Sequence, residues 1–433
     1  MTMTKRITVG LVALLLGLNL VVAARIYSQA TSAKAEKDNP YVQMELMTKV
    51  MELIRKDYVD QSKTAYKDLT YGALRGMVGA LDPHSQFMEP QGYQDMKDDT
   101  EGKFGGLGIV ISSSKEGFIT IVAPMEDTPG ARAGLLPADR IIKIDGKPTD
   151  KMTVSDAVRL LRGDPGTKVT ITIFRAKAKD PADKIKDYAI ERAEIKVESV
   201  KDAKILEDGI GYIRMTQFNE PTADEFEKAL AKLEAKGMDA LIFDLRNNPG
   251  GLLESARKVA SKFVPAGELI VSTEGRDIAQ KLVYRSDRGK KRTYPVVLLV
   301  NNGSASASEI VAGALQDLKR AVLVGETTFG KGSVQSILPL PDGSAVRLTT
   351  AKYYTPSHKV IHEHGVTPDI LVPVTEEEER KLMEQRSRAN LPPEEGEKPA
   401  EKVSDAQLER AVDVIKGVKL FAKQTKTTRA STR

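Results

Sequence analysis

Apolar residues recur at helical spacing over residues 41–58, where Met44, Met47, Val50, Met51 and Ile54 mark one face of an amphipathic helix. Residues 69–81 repeat the pattern. It stops at Asp82-Pro83-His84-Ser85, because proline restricts the residue before it and cannot continue the helical hydrogen bonding. Residues 94–100 form a polar stretch leading out of this helical region. Beyond residue 101 the period shortens. Apolar runs at 109–111, 119–122 and 140–144, an Asp145-Gly146 turn, a helix over 154–161 and an alternating strand over 168–175 predict a compact, mostly β domain. From 196 to about 375 strands (210–215, 240–245, 296–300, 321–324) alternate with helices (223–233, 252–264, 306–318). That alternation predicts an α/β region with a largely parallel sheet, whose ligands sit outside the strand C-termini. The turns at Asn247–Gly251 and 303–308 both lie there. Residues 376–433 read as a charged tail with one helix over 406–420, and the 375–400 stretch as exposed and partly disordered.

Composition narrows the chemistry. At 433 residues the chain is too long for one ordinary domain. A net charge of +5 is slight for that length and supplies no basic stripe for nucleic acid. The absence of cysteine excludes thiol catalysis, disulfides and Cys-ligated zinc. Lys5 and Arg6 precede an apolar run over 7–24 that ends on small residues, the form of a secretory signal. The run is also long enough to span a bilayer, and Arg25 follows it directly. A cleaved signal and a retained membrane anchor therefore both stand, and either carries the bulk of the chain out of the cytoplasm. Residues 25–40 read as a linker.

The densest candidate chemistry lies in residues 301–335. Ser304, Ser306 and Ser308 open a helix, and Lys331 sits between Gly330 and Gly332 after an apolar strand and Phe329. A serine hydroxyl needs a base to take its proton, and a desolvated lysine can serve. Ser306 and Glu309 also fit S-x-x-E, a capping box that needs no catalysis. Spacing does not choose among the three serines. Residues 325–331 match G-x-x-x-x-G-K, but Gly332 replaces the Ser/Thr that would hold magnesium, and a strand rather than a helix follows, so a phosphate loop is disfavoured. Gln335 lies four residues after Lys331 and would share its face in a strand. The glycines of Arg246–Gly251 let backbone N–H groups approach an oxyanion, and equally suit a tight turn. Phe104-Gly105-Gly106-Leu107-Gly108 before an isoleucine-rich strand suits binding of a carboxylate and pairing with an extended peptide. No G-x-S-x-G elbow and no H-E-x-x-H pattern is present, and His358, His362 and His364 fall in what reads as a solvated loop, so no metal site is expected.

Taken together these stretches resemble the C-terminal processing (tail-specific) peptidases. The likeness covers roughly residues 41–372. It runs through Gly72-Ala73-Leu74-Arg75, Leu81-Asp82-Pro83-His84-Ser85, Phe104 to Ile109, Asp244 to Gly251, Gly303 to Ile310, Phe329 to Gln335 and Gly365-Val366-Thr367-Pro368-Asp369. The resemblance implies a multidomain α/β and β protein. A signal or anchor (1–24) and linker (25–40) would precede an N-terminal helical region (41–100), a PDZ domain (101–180), a crotonase/ClpP-like α/β serine-protease core (181–375) and the tail. It implies Ser306 as nucleophile, Lys331 as general base and Gln335 as the residue that orients it. Oxyanion donors would be the N–H groups of Ala307 and of Gly250 or Gly251. Phe104, Gly105, Gly106, Leu107 and Gly108 would hold a substrate tail, with Arg162 a candidate for coupling the PDZ domain to the active site. The expected activity is that of an exported serine endopeptidase acting on protein C-termini, without metal, nucleotide or other cofactor. Membrane association through 7–24 and homo-oligomerisation stay open. The competing readings are a non-catalytic PDZ adaptor for C-terminal tails and a nucleotide-binding protein. The three C-terminal histidines are not explained by the resemblance.

Overall fold

A computed structural model describes residues 39–431, apart from 114–116, 126, 177, 179, 181–183, 278–280, 291 and 390–402. The apolar run at 7–24 lies outside the described residues, as does most of the 25–40 linker. Among the described residues no helix is long and apolar enough to cross a membrane. The chain divides into two compact units, up to Leu81 and from Asp82 onward.

Among the described residues the first unit holds two α-helices joined through a short 3-10 turn (Gln61–Lys63). α1 (Pro40–Asp57) starts where Asn39 Oδ1 accepts the Tyr41 N–H at 3.0 Å and Pro40 occupies the first turn, where its missing N–H costs nothing. Met44, Met47 and Val50 fall on one face, as the spacing predicts, but that face is exposed. α2 (Tyr66–Gly79) follows, with Arg55 of α1 stacked over the Tyr66 ring at 3.8 Å.

The second unit opens with β1 (Gln86–Met88) and α3 (Pro90–Glu101). α3 is a difference from the sequence reading, which had a polar stretch leading out. It carries no fully buried residue, so no apolar stripe announces it; Pro90 starts it and left-handed Gly102 (φ 68°) ends it. β2 (Lys103–Gly106) then leads into a mostly β insertion of β3 (Ile109–Ser113), β4 (Ile119–Pro124), the single turn α4 (Pro129–Arg132), β5 (Arg140–Ile144), β6 (Lys147–Pro148), α5 (Val154–Leu161), β7 (Lys168–Phe174) and β8 (Ile185–Glu191). Its sheet runs β3-β4-β5-β7-β8 around a core of its own that includes Ile119, Ile121, Ile141, Ile171 and Ile173. The final strand lies past residue 180, where the sequence reading closed this domain. β2 pairs with β9 (Ala193–Lys196), so the chain leaves the insertion beside the point at which it came in.

The α/β region follows. β10 (Val200–Ile205), β11 (Ile210–Met215), β12 (Ala240–Asp244), β15 (Val296–Val300), β16 (Val322–Gly325) and β19 (Ile370–Leu371) form one sheet in that order, parallel from β11 onward. α6 (Thr222–Ala235), α7 (Leu253–Ser261) and α8 (Ala307–Asp317) pack their apolar residues on one face. A parallel sheet needs both faces covered, and the other cover comes from the tail. α9 (Glu376–Ala389) and α10 (Ala406–Ser431) occupy the described part of it, two helices where one was read. Ala411 and Ile415 of α10 are fully buried against Tyr212, Ile242, Val297 and Leu299. α10 is the helix read over 406–420, and α9, with its run of charged residues, is the one not read. A second, antiparallel sheet holds β13 (Leu269–Gly275), β14 (Leu282–Arg285), β17 (Ser333–Pro339), β18 (Ala345–Tyr354) and β1.

The core beneath the parallel sheet gives a first test. Phe226 is fully buried, stacked on Phe243 at 4.6 Å and edge-on to Phe263 at 6.0 Å. Phe226→Ala is expected to cost ~3–5 kcal/mol, read as a lower urea midpoint for unfolding of the peptidase region. A loss under about 1 kcal/mol would show that the site repacks and that this cluster does not anchor the sheet.

Candidate active site

Two turns at the C-terminal ends of adjacent parallel strands build the site. β12 leads into Arg246–Gly251, and β15 into Asn301–Ser306. Asn248 ties them together. Its Nδ2 donates to the Met215 carbonyl at 2.9 Å, and its carbonyl accepts the Ser308 hydroxyl at 2.9 Å and the Ala305 N–H at 3.0 Å.

The structure separates the three serines. Ser304 and Ser308 are fully buried; the Ser304 hydroxyl donates to the Leu245 carbonyl at 2.8 Å, and that of Ser308 is engaged by Asn248. Both hydroxyls are structural pins. Ser306 is half-buried, and its hydroxyl bonds no described residue outside its own helix cap. Its backbone sits at φ 52°, ψ −111°, a conformation costly for a residue with a Cβ and concentrated at functional turns.

Glu309 is the residue on which the site closes. Its carboxylate is fully buried and accepts the Ser306 N–H at 2.8 Å, the Lys331 N–H at 2.9 Å, the Gly330 N–H at 2.7 Å and the Thr328 hydroxyl at 2.5 Å. Ser306 and Lys331, 25 positions apart, thus meet through their backbones on the single atom Oε2. Burial pushes the Glu309 pKa above the usual carboxylate range, against the pull of these donors. The capping pair foreseen from S-x-x-E is present, and it also locks the lysine loop.

Lys331 precedes β17, and Gln335 lies on that strand beyond an irregularity in its pairing between Val334 and Gln335, so the simple alternation expected of these two residues does not apply. The phosphate-loop geometry is absent too, since β17 follows Lys331 where a helix N-terminus would be needed. The glycines around Lys331 are required by close packing. A Cβ on Gly332 would lie 2.2 Å from the His362 nitrogen, and one on Gly330 about 3.1 Å from the Gly365 nitrogen. The segment carrying His362 and His364 is therefore a backbone wall against the lysine loop, and Phe329 is exposed instead of packing there. His358 stacks on Tyr354 and bonds Glu274 at 3.0 Å. Among the described residues no group of three or more His, Cys, Asp or Glu could hold a metal ion.

The Lys331 ammonium is half-buried and makes no hydrogen bond or ion pair among the described residues, to Ser306 or to any other. Burial lowers its pKa below the ordinary lysine value. Arg347 of β18 pushes it the same way and Glu309 opposes. Gln335 Nε2 donates to Thr349 Oγ1 at 2.9 Å and to Ser333 Oγ at 3.1 Å, while its buried Oε1 has no partner. Asp82-Pro83-His84-Ser85 abuts the same strand: Ser85 Oγ accepts the Thr349 N–H at 3.1 Å and donates to Asp82 Oδ2 at 2.7 Å. Burial would raise the Asp82 pKa, but donors from Ser85 and His84 hold it at about 2.

The proposed oxyanion groups divide. Gly250 lies against the serine turn; a Cβ there would sit 2.6 Å from the Ala305 carbonyl and 2.8 Å from Ser306 Cβ. Its N–H, however, already donates to Asn248 Oδ1 at 2.9 Å and as placed is not open to an oxyanion. The N–H groups of Gly251 and Ala307 bond no acceptor among the described residues.

In the β insertion, Phe104–Gly106 form β2, and Leu107-Gly108 the turn after it. Gly105 O accepts the Gly163 N–H at 3.1 Å. Phe104, Leu107, Ile109, Val154, Val158 and Arg162 line a cavity of about 160 Å³. Arg162 lies over the Phe104 ring at 4.3 Å and approaches Asp99 of α3 at 3.5 Å.

The profile of peptidase family S41 matches residues 209–372, and that of the PDZ domain residues 120–175. A carboxy-terminal-processing protease of Bartonella bacilliformis is 42% identical over 364 residues, spanning 82% of this chain and 81% of its own. The chain belongs to the carboxy-terminal processing proteases of family S41. The carboxy-terminal processing protease CtpA of Bacillus subtilis is 39% identical over 325 residues, 75% of this chain and 68% of that protein. Among solved structures, a photosystem II D1 C-terminal processing protease is 29% identical and covers 76% of this chain and 92% of its own, at a TM-score of 0.44. Family membership makes the chain a serine peptidase with a PDZ domain, and sets aside the adaptor and nucleotide readings.

Sequence reasoning missed the second role of Glu309 and the parts played by Asn248, Arg347 and Thr349. Asn248 alone carried a signal, as a polar residue between a buried strand and a Pro-Gly-Gly turn. Glu309→Gln would point an amide N–H₂ at backbone donors. The expected loss is ~2–3 kcal/mol of stability, measured by denaturant unfolding; stability within about 0.5 kcal/mol of the parent would mean the clamp carries little.

Proposed function

We propose that the protein is an exported endopeptidase in which Ser306 is the nucleophile and Lys331 the general base, and that its PDZ domain selects substrates by their C-termini. One observation carries the catalytic part: of three serines at the helix start, Ser306 alone combines partial exposure with a left-handed backbone, while the other two hydroxyls pin the turns. Neutral Lys331 accepts the Ser306 proton as Oγ bonds the scissile carbonyl carbon. The Ala307 and Gly251 N–H groups receive the oxyanion. Collapse breaks the C–N bond, the lysine returns its proton to the leaving amine, and water then hydrolyses the acyl-enzyme. Gln335 Oε1, buried and without a partner, would accept from the lysine amine without the charge that would raise its pKa. The serine and lysine side chains are not hydrogen-bonded to each other, and catalytic hydrogen bonds of this kind commonly tighten only with substrate bound.

Tail selection follows from the insertion. The apolar cavity beside Leu107-Gly108 suits a nonpolar last residue, and successive N–H groups at the turn suit its carboxylate. Arg162, between Phe104 and Asp99, would transmit occupancy of that cavity toward α3. The segment at 7–24 would take the chain across the membrane, as signal or as anchor.

Ser306→Ala or Lys331→Ala should reduce cleavage of an unstructured, apolar-tailed protein by at least ~10³-fold; full activity in either variant would refute the dyad. Because the lysine must be neutral, log kcat/KM should rise with pH at a slope of about one up to its lowered pKa. Arg347→Gln removes a cation that disfavours the lysine's charged form. It should move that limb to higher pH by up to about one unit, whereas Arg347→Lys should restore it. A flat profile down to mildly acidic pH would argue against the base. A tail peptide should bind roughly tenfold or more tighter than its C-terminal amide, measured by fluorescence anisotropy, and equal affinity would remove the carboxylate from the recognition scheme. Tail-dependent activation left unchanged by Arg162→Ala would remove the coupling role.

A further inference from the structure

The peptidase profile ends at residue 372, yet the segment beyond it reaches both turns of the site. On α9, Glu379 Oε1 accepts Asn301 Nδ2 at 2.8 Å and Asn247 Nδ2 at 3.1 Å. Asn301 opens the serine turn. Its Oδ1 accepts the Asn247 N–H at 2.9 Å and the Gly303 N–H at 3.1 Å, and its Nδ2 also donates to Asn247 Oδ1 at 3.0 Å. Asn247 lies three residues before Gly250 and is held at φ 57°, an unfavourable backbone region that needs support from its surroundings. One step earlier, Arg246 is gripped from the same segment: Asp405 takes Nη1 and Nη2 at 2.8 Å each, and Gln407 Oε1 takes Nη1 at 3.1 Å. Arg246 also pairs with fully buried Asp244 at the end of β12, at 2.7 Å. Burial would raise the Asp244 pKa, and the guanidinium outweighs it and holds it at about 2.

These contacts differ in kind. The Asp244–Arg246–Asp405 pairs are buried, so breaking them endangers the fold. Glu379 is half-buried on an amphiphilic helix, and its loss uncovers no core. Without it Asn247 and Asn301 still bond each other. What disappears is the third point that fixes the separation of the two turns. That separation sets where the Gly251 N–H stands relative to Ser306, and misplacement by about 1 Å is enough to cost about a hundredfold in rate.

We infer that Glu379 is a positioning residue for the peptidase reaction, acting through Asn247 and Asn301 to hold the oxyanion turn and the serine turn in register. The C-terminal segment is thereby part of the catalytic apparatus without touching substrate. This rests on the assignment of Ser306, Ala307 and Gly251 given above.

The test uses the full chain and an unstructured protein substrate with an apolar C-terminal residue. Glu379→Ala should lower kcat roughly tenfold with KM within about twofold, and leave the unfolding midpoint unchanged within error. Glu379→Gln keeps an acceptor oxygen at the same reach and should recover most of the rate, which a loss of surface charge would not. Asn301→Ala and the Asn301→Ala/Glu379→Ala pair should be equally impaired, because without Asn301 the carboxylate still holds Asn247 but no longer bridges the two turns. An unchanged kcat in Glu379→Ala overturns the inference. So does additivity in the double variant, or a loss of rate that only tracks a lowered midpoint. Ser306→Ala run alongside separates the two ideas: if it stays active the nucleophile assignment falls, whereas a dead Ser306→Ala with a fully active Glu379→Ala removes only the brace.

Discussion

The site depends on one buried carboxylate. Moving an ionised Glu309 out of water costs several kcal/mol, and hydrogen bonds to a charged group return about 1.5–3 kcal/mol each. The donors that offset the cost are the Thr328 hydroxyl and the backbone N–H groups of Ser306, Gly330 and Lys331. They come from the helix start on the parallel sheet and from the loop that leads into the antiparallel one. Neither turn can relax without leaving a buried charge or a buried donor unmatched. The left-handed Ser306 backbone is paid for in the same place.

Two sheets with different tasks meet there. The parallel sheet presents its strand C-termini, where the turns after β12 and β15 lie side by side with N–H groups open. The antiparallel sheet supplies Lys331 just before β17; Gln335 of β17 bonds Thr349 of β18, the strand that also carries Arg347. Arg347 and burial act together to favour a neutral amine, and the glycines on either side of Lys331 let the 361–365 segment close the back of the loop. The tail helix α10 covers the far face of the parallel sheet, so residues beyond the family-matching region complete the core as well as bracing the turns.

Much of this was legible in the sequence wherever one residue type has one physical use. The strand at 296–300 is an uninterrupted apolar run, those at 210–215 and 240–244 are mostly apolar with Arg214 and Asp244 near their ends, and the glycines of the turns mark close backbone approach. Helix α3 and the strand β18 were not legible, because their apolar residues are too few or too irregular to show a period. α9 was hidden by its charge. The choice among the serines was not open to spacing either: Ser304 and Ser308 are distinguished from Ser306 by full burial, by hydroxyls that find a carbonyl from another loop and by the Ser306 backbone, all facts of tertiary structure. Glu309 looked like a helix cap and is one, and nothing local announced its reach to Lys331. The Gly250 N–H is taken up locally, by the Asn248 side chain two residues earlier in the same turn.

The most direct test is where a covalent probe lands. The full chain is treated with a serine-reactive fluorophosphonate and digested, and the modified peptide is sequenced by mass spectrometry. A single adduct on Ser306, lost when Lys331 is changed to alanine, is the result expected of a strained serine activated by a neutral lysine. An adduct on Ser304 or Ser308, or equal labelling with and without Lys331, would contradict the account.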